Sequence, residues 1–487
     1  MPPTQPTVAV VGGGLAGLAA ACALSSNNFH VTLFEKRPFL GGRASSYEHP
    51  GTGEVVDNCQ HVLFRACTNL VEFYERIGVA DQIRWYDEMT FIEPGGRTSK
   101  MRSSSLPAPL HTAPSFFGFS FLTAADKLSV AQALIPLTLT EQRDTGQSFQ
   151  QWLDRHGQTK NAVERFWRPI LISALSEELD RISISAAAQV VRESMKSPAA
   201  RQMGVPALPL TDLYNEAGEY IRAHGGALHF RCPVEGFTMN ASCIQLRLRS
   251  QSDESKEGAP PLSLRSLQGQ GGDFDFLILA LPFDALDRIL PNTPESAPLR
   301  EQISHFENSP ITGIHLWFDR QISDLDHAVL LDRTIQWMFH KSRLQPMRAK
   351  NAATVPEGSY IELVVSSSKT LIGKSRAEIV DLALAEVREF FPAARQANLL
   401  KSAVIKEVNA TYSPRPGIDV HRPTPITAWP RVFLAGDWTA TGWPATMEGA
   451  VRSGYLAAEA LVRAAGRNDL HFLSPDLAAT GLMRLFS

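Results

Sequence analysis

Three groups of residues in this 487-residue chain have types and spacings that chemistry asks for. In the first, Gly12-x-Gly14-x-x-Gly17 follows the β-branched run Thr7-Val-Ala-Val-Val11, and Leu15 and Ala16 open an Ala- and Leu-rich stretch. Glu35, with Lys36 beside it, lies 18 residues beyond Gly17. Gly12 permits a tight turn, Gly14 lets the backbone approach a pyrophosphate, and Gly17 lets a helix pack close to the strand. The helix start offers N–H groups to phosphate, and the acid can accept from a ribose diol. In the second group, the apolar run from Arg431 ends in Gly436-Asp437, and Ala445-Thr446-Met447 opens another helix-forming stretch. There a carboxylate after a strand and a helix N-terminus can share one ligand. The third is Asp57-Asn58-Cys59-Gln60-His61, where a proton donor is sought first. An ordinary imidazole titrates near pH 6.5, so His61 leads and Asp57 is the second candidate, with Tyr412 or a bound water as other donors.

These residues need elements to position them. The order strand, glycine turn, helix, strand, acid over residues 7–35 predicts a dinucleotide-binding βαβ unit. Further along, residues 213–224 predict a helix, Gly225-Gly226 a stop, and residues 227–234, 274–281 and 431–437 buried strands. Helices are expected over 124–139 and 148–171, and strands over 315–318, 335–339 and 360–365. Ser250 to Gly272 is polar and Ser/Gly-rich and reads as a solvated loop, so one nucleotide fingerprint is present and a second, nicotinamide-binding domain is not expected. The expected fold class is α/β: a doubly wound domain assembled from 1–90, 205–295 and 405–465, with an inserted α+β substrate domain from 91–204 and 296–404. Residues 466–487 form a tail.

Composition narrows the partners. Lys plus Arg number 47 against 50 Asp plus Glu, so the basic excess of a nucleic-acid binder is lacking. The five cysteines contain no C-x-x-C, which argues against a disulfide framework or zinc and for a reducing compartment. Residues 8–24 are nearly charge-free, but the glycines mark them as strand, turn and helix rather than a signal or span. The expected location is the cytoplasm, with peripheral contact to the inner face of the cell membrane.

Gly41-Gly42-Arg43, after Glu35, resembles flavoprotein oxidoreductases more than nicotinamide dehydrogenases. Together with Val56-Asp-Asn-Cys-Gln-His-Val62, Leu106-Pro-Ala-Pro-Leu-His111, Ala410-Thr-Tyr-Ser-Pro-Arg-Pro-Gly417 and the run from Leu434 to Gly449, it resembles the amine oxidase and carotenoid desaturase superfamily. Within that group the chain looks most like the squalene-associated FAD-dependent enzymes, the hydroxysqualene dehydroxylases. Trp438, Trp443 and Pro444 make the last run the most specific. The resemblance implies noncovalent FAD, a glutathione-reductase-like FAD domain, and a cofactor site of Gly12, Gly14, Leu15, Ala16, Gly17, Glu35, Lys36, Gly42, Arg43, Cys59, Gln60, Val234, Gly436, Asp437, Ala445, Thr446 and Met447. Cys59 stands where the family usually has glycine. The implied reaction is reductive dehydroxylation of hydroxysqualene to squalene, with an external electron donor and a substrate extracted from membrane. A polyene desaturase of the same fold, an amine oxidase and a non-catalytic isoprenoid escort are the alternatives. Phe116, Phe117, Phe119, Phe121 and Leu122 read either as core or as the mouth of an apolar channel, and Phe472, Leu477, Leu482, Met483, Leu485 and Phe486 as either an anchor or a docked or frayed tail.

Overall fold

A computed structural model describes residues 5–249, 271–345 and 358–486. The β-branched run forms the strand Thr7–Val11, almost wholly buried at the centre of a five-stranded parallel sheet. Its neighbours are His30–Phe34 and then Ala227–His229 on one side, and Phe276–Leu279 and then Val432–Leu434 on the other. Strands buried on both faces need apolar residues throughout, which these have. The helix Leu15–Ser25 is buried along its whole length. The C-terminal helix Met447–Ala464 packs against it where a Cβ on Gly454 would fall 2.2 Å from the Ala16 carbonyl oxygen. Both ends of the chain therefore meet in one domain.

The second body is a seven-stranded sheet in the order Leu399–Tyr412, Asn308–Phe318, Ser359–Ser366, Trp337–Phe339, His327–Leu330, Glu88–Ile92, Thr98–Arg102. Strands 88–92 and 399–412 cross the boundaries expected at 90 and 405, because hydrogen-bonded pairing commits each whole strand to this sheet. The expected strand over 227–234 is two, Ala227–His229 and Val234–Met239, which belong to different sheets. Residues 250–270 of the expected loop lie outside the described residues, and Gly271–Phe274 is a strand.

Helices Ala124–Leu139, Phe149–Arg155, Arg168–Leu175 and Ile184–Met195 pack together over the end of this sheet. Phe116, Phe119, Phe121 and Leu122 belong to that core, with Phe119 and Phe121 rings 4.7 Å apart. Only Phe117 of the aromatic cluster is exposed, at 58%. The C-terminal tail is docked. The Phe472 and Leu473 amides donate to Glu459, Ser474 N–H to Asn69, and Leu482 N–H to the Ala108 carbonyl. Met483 is buried, while Leu482, Leu485 and Phe486 stay exposed. All five cysteines are free thiols. No helix among the described residues is long and apolar enough to cross a membrane, and no metal-holding cluster occurs among them.

Candidate active site

One cavity of ≈ 1160 Å³ runs from the glycine turn to the helices of the second body. Its first half is built by the parallel sheet. Gly12 ends the central strand at φ 112°, the left-handed region open to glycine. Gly17 does not line the cavity: a Cβ there would sit 1.9 Å from the Gly12 carbonyl oxygen, so it closes the strand–helix contact beneath the turn. Gly14 does line it, and a Cβ there would meet only the Gly42 Cα, at 3.9 Å, pointing into open space that a ligand backbone contact can use. The Glu35 carboxylate accepts from Gly13 N–H (2.6 Å) and Arg37 N–H (2.8 Å), which fixes it at the end of its strand beside the turn.

Arg43 crosses to the C-terminal half of the site. Its guanidinium donates to Asp437 Oδ1 (2.6 Å) and the Ala410 carbonyl (3.0 Å). Burial opposes its charge, but the Asp437 carboxylate outweighs this and raises its pKa. Thr446 caps the C-terminal helix by accepting from Gly449 N–H (3.1 Å), so Ala445, Thr446 and Met447 present that helix start to the cavity. Leu15, Ala16, Lys36, Gly42, Cys59, Gln60, Val234 and Gly436 also line it. An elongated cleft with a bare glycine turn at one end, a fixed carboxylate, an Arg–Asp pair and a second helix start at the other fits FAD. Gly12, Gly14, Glu35, Arg43, Val234, Asp437 and Thr446 would hold the cofactor, and bound flavin supplies hydride chemistry.

Within the Asp57–His61 loop the structure separates residues that the sequence grouped. Asp57 does not line the cavity. It is buried and its carboxylate accepts from Lys341 Nζ (2.5 Å), Ser46 Oγ (2.5 Å) and Leu210 N–H (3.2 Å). Burial alone would raise its pKa, but Lys341 and these donors bring it to about 2. A carboxylate so held is ionised at neutral pH and is no proton donor. Its role is to position the loop.

His61 lines the cavity, with Nδ1 2.7 Å from the Cys59 carbonyl. A carbonyl only accepts, so Nδ1 carries the hydrogen and Nε2 of the neutral ring carries a lone pair. Burial lowers its pKa, so the ring is neutral at pH 7 and arranged to accept a hydrogen bond, not to donate the proton assigned to it above. Tyr412 does not line the cavity and packs against Phe306. Cys59 has no left-handed φ, so its backbone does not require the glycine expected there.

Two buried ionisable residues of this cluster escaped the sequence reading. Lys341, fully buried, reaches Asp57, Gln60 Oε1 (2.7 Å) and Glu362 (3.6 Å). Burial raises Glu362 to about 8, so it is neutral at pH 7. A single acid in the otherwise uncharged buried strand Ser359–Ser366 is a legible signal of such a partner, whereas nothing in its spacing marks Lys341.

The second half of the cavity is apolar. Met89, Phe91, Phe166, Ile170, Trp337 and Phe339 line it, from the seven-stranded sheet and the helices over it.

Residues 15–462 match the family of flavin-containing amine oxidoreductases. The chain is 26% identical to 15-cis-phytoene desaturase of Synechococcus elongatus, over 93% of this chain and 95% of that protein. It is 27% identical to a probable zeta-carotene desaturase of the same organism, over 94% and 98%. Among solved structures, its fold is similar to a putative protoporphyrinogen oxidase from Exiguobacterium (TM-score 0.65, 16% identity, 95% of this chain and 99% of that one). Cyclohexylamine oxidase from Brevibacterium oxydans is comparable (TM-score 0.63, 16% identity, 95% and 100%). The match takes in Glu35, Arg43 and Asp437 of the site just described and covers most of the chain, so the chain belongs to the family of flavin-containing amine oxidoreductases and is an FAD-dependent oxidoreductase.

Proposed function

We propose that the enzyme reductively removes the hydroxyl group of hydroxysqualene to give squalene. The observation that carries a long hydrocarbon substrate is the cavity itself, in which the cofactor half opens directly into the apolar half. The run Leu434 to Gly449, with Trp438, Trp443 and Pro444, supports the reductive direction through its resemblance to hydroxysqualene dehydroxylases. The net change breaks the allylic C–O bond, forms a C–H bond and releases water, taking two electrons from an external reductant and two protons from solvent. The apolar wall keeps bulk water from the ionising carbon, and the His61 Nε2 lone pair can hold the hydroxyl hydrogen and so orient the leaving oxygen. The exposed side chains Leu106, Leu110, Phe117, Leu482, Leu485 and Phe486 are assigned to contact with the membrane that supplies the substrate, the tail being fastened to the 106–110 segment.

The test is to reduce the flavin-loaded protein anaerobically, add hydroxysqualene, and follow flavin absorbance with mass spectrometry of extracted product. Return of the oxidised-flavin band with stoichiometric squalene is expected. The carotenoid desaturase relatives favour a second reading, oxidative desaturation of a polyene. A flavin that stays reduced with hydroxysqualene, together with bleaching of the oxidised enzyme by a partly saturated polyprenoid, would replace the first reading by the second.

A further inference from the structure

The apolar half of the cavity holds a cation that no carboxylate answers. Arg201 ends the short helical turn Ala199–Arg201 and lines the cavity between Ala200, Met101 and Met195. Its Nη2 points at the Met101 thioether, a weak acceptor, and no acidic side chain pairs with it among the described residues. Burial alone lowers its pKa, to about 10, so the guanidinium remains charged at neutral pH. Beside it is His111, fully buried, neither of whose ring nitrogens has a hydrogen-bond partner. Burial first and the Arg201 charge second lower His111 to about 4, which keeps the ring neutral. Glu193, an acid on the cavity wall, is already bonded to Lys196 (2.7 Å) and is raised by burial. Among the described residues nothing else offers Arg201 an oxygen acceptor.

A guanidinium half-buried in a cavity wall without a carboxylate partner is costly, and it calls for an acceptor delivered by what enters the cavity. Met89, Phe91, Phe166, Ile170, Trp337 and Phe339 of this arm offer hydrocarbon contacts, which an Arg in the wall only weakens. A guanidinium matches a carboxylate in shape and charge, two parallel N–H groups to two oxygens. We infer that Arg201 is the anchor of a second ligand subsite, which takes the carboxylate end of a long-chain acid while the chain lies along Phe166, Trp337 and Phe339. The subsite does not depend on the direction of the redox reaction. It admits an amphiphilic acid as a ligand of this cavity, competing with the hydrocarbon substrate for the same wall.

The experiment uses the flavin-loaded protein and cis-parinarate, whose fluorescence rises on binding, with oleate, oleyl alcohol and octadecene as competitors. Oleate is expected to displace the probe at least tenfold better than the alcohol or the alkene. R201M is expected to weaken parinarate at least tenfold and to abolish that preference, whereas R201K retains most of it, with flavin content and melting temperature as checks on folding. Equal competition by acid, alcohol and alkene in the unaltered protein overturns the inference, and this arm needs no variant to fold. Unchanged parinarate affinity in a folded R201M overturns it as well. Neither readout needs turnover, so a failure here is separate from a failure of the dehydroxylation reading.

Discussion

Replacing Lys341 by methionine tests how the Asp57–His61 loop is held against the cofactor half of the cavity. At pH 7 the cluster contains one cation, Lys341, and one anion, Asp57, since Glu362 is neutral below about 8. K341M removes the cation and leaves a fully buried carboxylate with only the Ser46 hydroxyl and the Leu210 N–H. Breaking a buried pair in this way costs about 3–5 kcal/mol, most of it the isolated charge rather than the lost contact. If so, K341M/D57N, which carries no charge there and retains an acceptor for Ser46 and Leu210, recovers the larger part of the loss. Gln60 also loses its Oε1 partner in both variants, so both should release FAD more readily than the unaltered protein. Denaturant unfolding followed by circular dichroism, with flavin release measured in parallel, gives both quantities. A K341M protein within about 1 kcal/mol of the parent, or a double variant no better than K341M, would refute the argument that Lys341 compensates Asp57.

Gly14 and Gly17 differ in what a side chain would meet. G14V should leave a folded protein that purifies with little flavin, because its side chain enters the cradle. G17A should fail to fold or lose the Thr7–Val11 contact, because its Cβ overlaps the Gly12 carbonyl; equal behaviour of the two variants in flavin content and melting would contradict the separation. Glu362 is protonated in the fold at a pH where the unfolded chain has lost that proton, so its contribution is present at low pH and is lost as pH rises from the ordinary carboxyl range through about 8. The slope is about 1.4 kcal/mol per pH unit over that window, and E362Q should flatten it in unfolding measured from pH 5 to 9. H61A should lower turnover at least tenfold with flavin content unchanged, and H61Q, which keeps an acceptor, should lose less; parent-like rates in H61A remove His61 from the reaction. F117S/L485S/F486S should weaken co-sedimentation with liposomes, and unchanged binding would detach this patch from the membrane.

The cofactor half of the site was legible in the chain itself. Gly12, Gly14 and Gly17, Glu35 and the run ending in Asp437 are legible because a strand–turn–helix corner around a dinucleotide is a local requirement, written in residues a few positions apart. The parallel strands were legible for the same reason, as short apolar runs buried on both faces. Which polar groups meet across long separations was settled by folding alone. Asp57 looked like an acid beside His61 until Lys341, 284 residues away, arrived within 2.5 Å and fixed it as an anion. His61 looked like a donor until the Cys59 carbonyl took its one hydrogen. Arg201 carried no pattern at all, and its meaning comes from the cavity that segments far apart in the chain enclose around it. Periodicity and motif spacing report on neighbours in the chain, while protonation state and charge balance depend on burial and on partners that only folding brings together.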